Sequence, residues 1–471
     1  MPPKIQPPSL KDISTRTMVL VLIHALLDEK HFDILRNYLT MTSYNILEML
    51  QNEIMNILNL DASIRFNSLQ VLLRHDVKQL KTGMFPRFYY DQILSIIIEK
   101  GKRLQKLNLK GVWARDYPQL LASIIDNLTE LRSLEIPHMP DDTVISSINN
   151  LKYLTLLDIS GEGGYTREGI KVLKSETLRI LDIGSYGKKD LCFGTESNFE
   201  LMADIIENLP NLSIIKTYSF TGHALHIVSQ RNPHYISKLT YIYDTSTTPE
   251  IFDSIVDTCP LLDHAHFSIP ADGVVEQFYR LKKLNSLKLT QGTKTEIVSF
   301  LQKSENRIEI LQLNHNKDDT LDIGEFCRYA PNLRNLECFQ MSLKFSHPEK
   351  LSLHRLQKVQ ILYCDISDKD VIALITNSPE VKSVTIGSSL SLTDDDIITL
   401  VTEHSFPQLE ELVFSFAENL TVVSVEVLCA ACPSLRVLGT ISEWAVTEEE
   451  FIELKLSCQI SNTDLTLLPV F

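Results

Sequence analysis

No stretch of about 18 consecutive apolar residues occurs in this chain, so no membrane-spanning helix is expected. Clustered basic charge is missing as well. There is no long lysine or arginine run, and a formal net charge of −15 repels phosphate backbones, so neither nucleic acid nor a membrane surface is expected as a partner. Dense cysteine is also absent: eight cysteines are scattered singly through 471 residues, without the spacing of a secreted disulfide framework. Free thiols in a reducing compartment are the expectation. The opening residues Met1-Pro2-Pro3-Lys4-Ile5-Gln6-Pro7-Pro8 lack the charged-then-apolar order of a secretory signal. Together these absences point to a soluble protein of the cytoplasm, with the nucleus also open to it. The three glycosylation sequons, at Asn127, Asn211 and Asn419, are expected to stay unmodified there.

What is present is enough to fold. Apolar residues make up 44% and charged residues 22%, close to globular averages. A chain of this length ordinarily divides into several compact domains unless it is one repeat array. The sequence favours the array. From about residue 75 the unit L-x-x-L-x-L recurs, clearly at Leu104/Leu107/Leu109, Leu131/Leu134/Ile136, Leu154/Leu157/Ile159, Leu178/Leu181/Ile183, Leu284/Leu287/Leu289, Ile308/Leu311/Leu313, Val381/Val384/Ile386 and Leu409/Leu412/Phe414. Weaker copies fill the gaps, giving roughly fifteen, mostly about 22 to 28 residues apart, within the range of leucine-rich repeats.

The physics of the unit is a period of two. Leu and Ile point into a core while the residues between them face solvent on a short strand, and each repeat closes its apolar face only by stacking on the next. Between strands, segments such as Phe199–Ile206, Ile251–Val256 and Asp396–Val401 carry helical spacing. Several open on a polar cap with an acid three residues later, as in Ser367/Asp370 and Thr393/Asp396. Several end at a proline that stops the helix: Pro260, Pro331, Pro379 and Pro433. The fold expected is an α/β leucine-rich-repeat solenoid over residues 75–471, with parallel strands on the concave side and helices on the convex side.

This order of helix, proline and L-x-x-L-x-L resembles the helix-containing repeats of ribonuclease-inhibitor-like and F-box leucine-rich-repeat proteins. It departs at the Asn/Cys position after the strand, where Asn316 and Cys364 fit but Val112, Met139, Glu162 and Tyr186 do not. A buried asparagine ladder is therefore not expected. The long interval from Leu178 to Leu212 suggests a loop inserted around Gly184–Asp190.

Ahead of the repeats, residues 1–8 read as a flexible leader and residues 9–74 as helices, among them Leu10 to Leu27, His31 to Leu39 and Tyr44 to Leu58. One reading makes them a cap over the first open core face. A second rests on Ser9-Leu10-Lys11-Asp12-Ile13-Ser14-Thr15-Arg16-Thr17-Met18, in which Leu10, Ser14 and Met18 line one helix face at i, i+4 and i+8. That segment resembles the elongin-binding box of the zyg-eleven and zer families, substrate receptors of elongin–cullin-2 ubiquitin ligases. The resemblance implies docking of elongin C, and so of elongin B and a cullin, through Leu10, Ser14 and Met18. Ser14 stands where the box usually has Cys, the proline of the cullin-selecting segment is missing from Leu39–Leu47, and no armadillo-like domain follows the repeats. No Leu-Pro-x-Glu-Ile-type F-box is present. The alternative function is a leucine-rich-repeat scaffold or inhibitor, or an F-box-like receptor, without elongin binding.

A protein substrate or partner is expected on the concave face, whose central outward positions are Lys216, Tyr218, Tyr241, Tyr243, His264, His266 and Lys288. Exposed tyrosine offers large, stiff contact area at low entropic cost. Catalytic chemistry is not expected. Cys429/Cys432 has no second pair, His264/His266 has no third ligand, and Gly161-Glu162-Gly163-Gly164 lacks the spacing of a phosphate loop. No cofactor or metal is called for, and the acidic runs at Asp394–Asp396 and Glu448–Glu450 read as helix caps.

Overall fold

A computed structural model describes residues 2–184, 194–315, 320–346 and 353–469. Most of the anticipated insertion at 184–190, with Tyr186, and the Asn316 position lie outside the described residues. The chain forms two compact units, one comprising Pro8–Asp244 with Asp257–Leu261, the other Met1–Pro7, Thr245–Val256 and Leu262–Phe471.

The N-terminal unit opens with four helices: α1 (Leu10–Ala25), α2 (Phe32–Leu39), α3 (Tyr44–Asn56) and α4 (Ala62–Leu72). Parallel strands follow: β1 (Gln79–Lys81), β2 (Lys106–Asn108), β3 (Ser133–Glu135), β4 (Leu156–Asp158), β5 (Ile180–Asp182), β6 (Ile214–Lys216) and β7 (Tyr241–Thr245) up to Asp244. Their register aligns the central residue of each repeat, Leu80, Leu107, Leu134, Leu157, Leu181 and Ile215, and all six are buried. The sheet edge is closed by a side chain. In each repeat two successive N–H groups share one carbonyl of the repeat before: Arg132 and Ser133 donate to Gln105 O at 2.7 and 3.0 Å, Thr155 and Leu156 to Arg132 O at 2.8 and 3.1 Å. At β1 no earlier repeat exists. There Lys78 and Gln79 donate to Oε1 of the buried Glu48 on α3, at 2.7 and 3.0 Å, so a carboxylate occupies the place of the missing carbonyl. An edge strand left open would expose these donors to unwanted pairing.

The C-terminal unit repeats the architecture, with five-residue strands through its middle. β8 (His264–Ser268), β9 (Ser286–Thr290) and β10 (Ile310–Asn314) each alternate outward and buried residues, and the parallel pairing continues through strands at Asn335–Phe339, Lys358–Leu362, Ser383–Gly387, Glu411–Phe414, Val437–Gly439 and Thr466–Leu467. Each anticipated L-x-x-L-x-L copy lies on one of these strands or on β1–β7. Phe252, Phe267, Phe278 and Phe300 fill the core beneath β8 and β9, with Phe267 and Phe278 stacked at 4.4 Å. The residues expected to be a free leader run along the chain's last segment instead: Ile5 N donates to Asn462 O at 2.9 Å and Asp464 N to Pro3 O at 2.7 Å.

At several strands the closing turn carries a left-handed residue in place of a consensus asparagine. Four residues after the central core residue, the backbone enters the left-handed region at His138, Ile269, Gln291, His315, Gln340 and Tyr363, with φ between 48° and 64°. A non-glycine residue there costs roughly 1 kcal/mol. The same geometry aims its N–H at the neighbouring repeat: Gln291 donates to Asn314 O at 2.9 Å, His315 to Phe339 O at 3.0 Å and Tyr363 to Gly387 O at 2.9 Å. One extra rung of the ladder offsets the strain. Cys364, at the Asn/Cys position, is buried and donates its N–H to the Ser388 hydroxyl.

Candidate protein-binding surfaces

The first surface begins at α1. Ser9 caps this helix: Asp12 N donates to Ser9 Oγ at 3.1 Å, while Ser9 N and Oγ donate back to the Asp12 carboxylate at 3.2 and 2.6 Å. These bonds hold Asp12 below the usual carboxylate range. Thr15, Val19 and Leu22 are the buried stripe, and Thr15 Oγ lies 3.7 Å from Met49 Sδ on α3. On the stripe beside it Leu10 is 80% and Met18 41% exposed, and Ser14 is exposed with them. The three box residues therefore share one outward face. That face continues into an apolar groove of about 520 Å³ between α1 and α2, walled by Met18, Val21, Ile34, Leu35 and Tyr38. Concentrated exposed apolar surface of this kind is characteristic of surfaces that bind partners. The loop after α2 is fixed by Arg74, which donates to the carbonyls of Leu39, Thr40 and Thr42 at 2.6 to 3.0 Å and pairs with Asp76. Thus the segment Leu39–Leu47 is held against the start of the first strand.

The second surface is the sheet face opposite the helices that join the strands, such as Glu196–Asn208 and Lys294–Lys303, and the seven residues expected on it divide between the units. In the N-terminal unit Lys216 is exposed and Tyr241 and Tyr243 are half-exposed, the Tyr241 phenol pushed up by burial and by Tyr243. Tyr218 is a correction: it is fully buried. β6 ends at Lys216 and Thr217 is left-handed at φ 63°, so the alternation breaks one residue early and Tyr218 turns inward, where its ring meets Phe220 at 6.3 Å. Towards the start of the same sheet, Lys110 bridges Glu135 and Asp158 at 2.9 Å each. Burial opposes its charge, but those carboxylates outweigh burial and raise its pKa.

In the C-terminal unit His264 is exposed and bonded to Asp263 at 2.7 Å, while His266 and Lys288 are half-exposed. Burial first, and the Lys288 ammonium second, push the His266 imidazole down to about 4, so it is neutral at pH 7. Beyond Lys288 the same face holds Gln312, Asn314, Glu337, Phe339, Gln360 and Leu362 around a pocket of about 280 Å³. The outward positions of the three repeats after Lys288 place these residues on the same face.

Cys432 is buried and Cys429 half-buried, and burial pushes their thiols up to about 11 and about 12. Thiols so hard to ionise are poor nucleophiles and poor ligands. Among the described residues no group of three or more His, Cys, Asp or Glu is arranged to hold a metal ion, and no helix is long and apolar enough to cross a membrane.

No protein-family model matches the chain, and no curated protein matches it by sequence. Solved structures of leucine-rich-repeat proteins are similar to it in fold. A Leptospira interrogans leucine-rich-repeat protein is 14% identical, with 83% of this chain and 99% of that one aligned at a TM-score of 0.40. The yeast complex of Rad7 and Elc1 is 14% identical over 94% and 96%, at 0.38. An internalin of Listeria monocytogenes is 16% identical over 74% and 82%, also at 0.38. At such scores the likeness carries no residue roles to this chain.

Proposed function

We propose that this chain is a protein-interaction module without catalytic chemistry of its own, serving as the substrate-recognition subunit of an elongin BC–cullin ubiquitin ligase. The observation that carries the reading is the division of labour along α1. Thr15, Val19 and Leu22 hold the helix to its unit, leaving Leu10, Ser14 and Met18 together on the outward face. An amphipathic helix that keeps a second apolar stripe exposed is suited to entering a groove on a partner. The groove between α1 and α2 extends that surface and gives a partner's bulky side chain a place to insert. The sheet face opposite the helices would then hold the protein to be ubiquitylated.

The test is capture of purified elongin B–elongin C by the full chain, compared with a Leu10→Ala/Ser14→Asp variant. Binding by the wild type that the variant loses, with unfolding transitions unchanged, is the expected result. Absence of wild-type binding would sink the elongin assignment and leave a capped scaffold.

A further inference from the structure

The pocket on the open sheet face of the C-terminal unit has a specific charge arrangement. Lys288, Gln312, Glu337 and Gln360 stand side by side on four successive strands in one register row. Asn314, Phe339 and Leu362 stand two residues further along their strands. His315 and Tyr363 pack edge-to-face on Phe339 at 5.8 and 5.4 Å, extending an aromatic rim at which Tyr363 is 65% exposed. Glu337, the pocket's own carboxylate, is committed: Lys358 Nζ lies 2.7 Å from Oε1, and Gln312 Nε2 donates to Oε2 at 2.8 Å. Lys288 has no carboxylate at ion-pair distance among the described residues, and the side-chain amides of Asn314 and Gln360 have no protein partner among them. Lys358, outside the lining, neutralises Glu337, so the uncompensated charge left in the pocket is the Lys288 ammonium, in a chain of net charge −15. Across more than a Debye length the global field is screened, and at contact distance the local excess decides.

We infer that this pocket binds an acidic side chain of a protein partner, Asp or Glu, carried next to an apolar residue that lies on Phe339 and Tyr363. The carboxylate accepts from Lys288 and from the amide N–H of Asn314 or Gln360, a charge-assisted set that a neutral amide in the partner cannot match. A volume of about 280 Å³ admits one large side chain rather than a folded element. The inference rests on the reading of the open sheet face as a partner-binding surface and is independent of elongin docking.

The experiment measures fluorescence anisotropy of labelled, capped hexapeptide pools with the full chain. The two central residues are Glu-Phe, Gln-Phe, Lys-Phe or phosphoserine-Phe and the flanks are randomised. The Glu-Phe pool is expected to bind at least about tenfold tighter than Gln-Phe, the worth of one charge-assisted hydrogen bond. In Lys288→Glu the preference is expected to invert towards Lys-Phe, a gain that misfolding cannot imitate. Equal binding of the Glu-Phe and Gln-Phe pools, no binding by any pool, or a Glu-Phe preference that survives Lys288→Glu overturns the inference. A phosphoserine pool that outranks Glu-Phe overturns it in favour of a phosphate ligand. Elongin capture on the same preparations separates the two proposals, since α1 variants change it and Lys288→Glu leaves it intact.

Discussion

The helix pairs α1–α2 and α3–α4 are neighbours in one unit with similar apolar content, yet they meet their surroundings in opposite ways. α3 and α4 bury Leu47, Leu50, Ile54, Leu69 and Leu72 and supply the Glu48 oxygen that completes the first strand's hydrogen bonds. α1 and α2 bury one stripe and leave Leu10, Met18, Val21, Ile34 and Tyr38 exposed. Capping falls to α3 and α4, and the docking proposed above would fall to α1 and α2, so the two accounts of the segment do not compete for the same helices. A cap is identified less by apolar content than by whether it satisfies the polar edge it covers, because an unpaired buried N–H costs more than a missing methyl contact.

Four substitutions or conditions can break this comparison. Leu22→Ala, on the buried stripe of α1, is expected to cost about 3 kcal/mol by transfer loss and cavity formation, read as a lowered denaturation midpoint. Glu48→Ala should cost about 1 kcal/mol by leaving the part-buried Lys78 and Gln79 N–H groups without their acceptor. Hydrogen exchange at those two amides should accelerate first, and Glu48→Gln, which keeps an acceptor oxygen, should recover part of the loss. If Glu48→Ala leaves their exchange unchanged, the carboxylate is not the cap. Leu10→Ala is expected to move stability by less than about 0.5 kcal/mol while removing elongin capture. A large destabilisation there would mean that the outward stripe is structural. The smallest effect is acid fraying of α1. Asp12 has a lowered pKa in the folded chain, so its contribution is complete above its unfolded value near 3.8 and is lost as pH falls through the folded one. Circular dichroism should show a larger loss in the wild type than in Ser9→Ala, which keeps only the backbone bond to Asp12.

The strands and their register were legible because every repeat repeats one decision, a branched apolar residue at two alternate positions that must face the same way. The N-terminal helices were legible for a similar reason, their period being carried by Val19, Leu22, Leu47 and Ile54. Tyr218 was misread because alternation holds only while the strand lasts, and β6 stops at Lys216. The role of Glu48 left no trace in the sequence. A glutamate inside an apolar helix is recognisable as a carbonyl substitute only once its distance to Lys78 and Gln79 is known. The pocket beyond Lys288 was half legible: its residues sit at readable outward positions, but the commitment of Glu337 to Lys358 and Gln312 depends on which strands lie side by side.

The left-handed residue that closes several of the strands has an informational consequence. Because an inter-repeat hydrogen bond fixes that turn, the position accepts His, Ile, Gln and Tyr alike. The bend is stored in geometry and not in letters, so two such chains can share every turn and align at almost none of them.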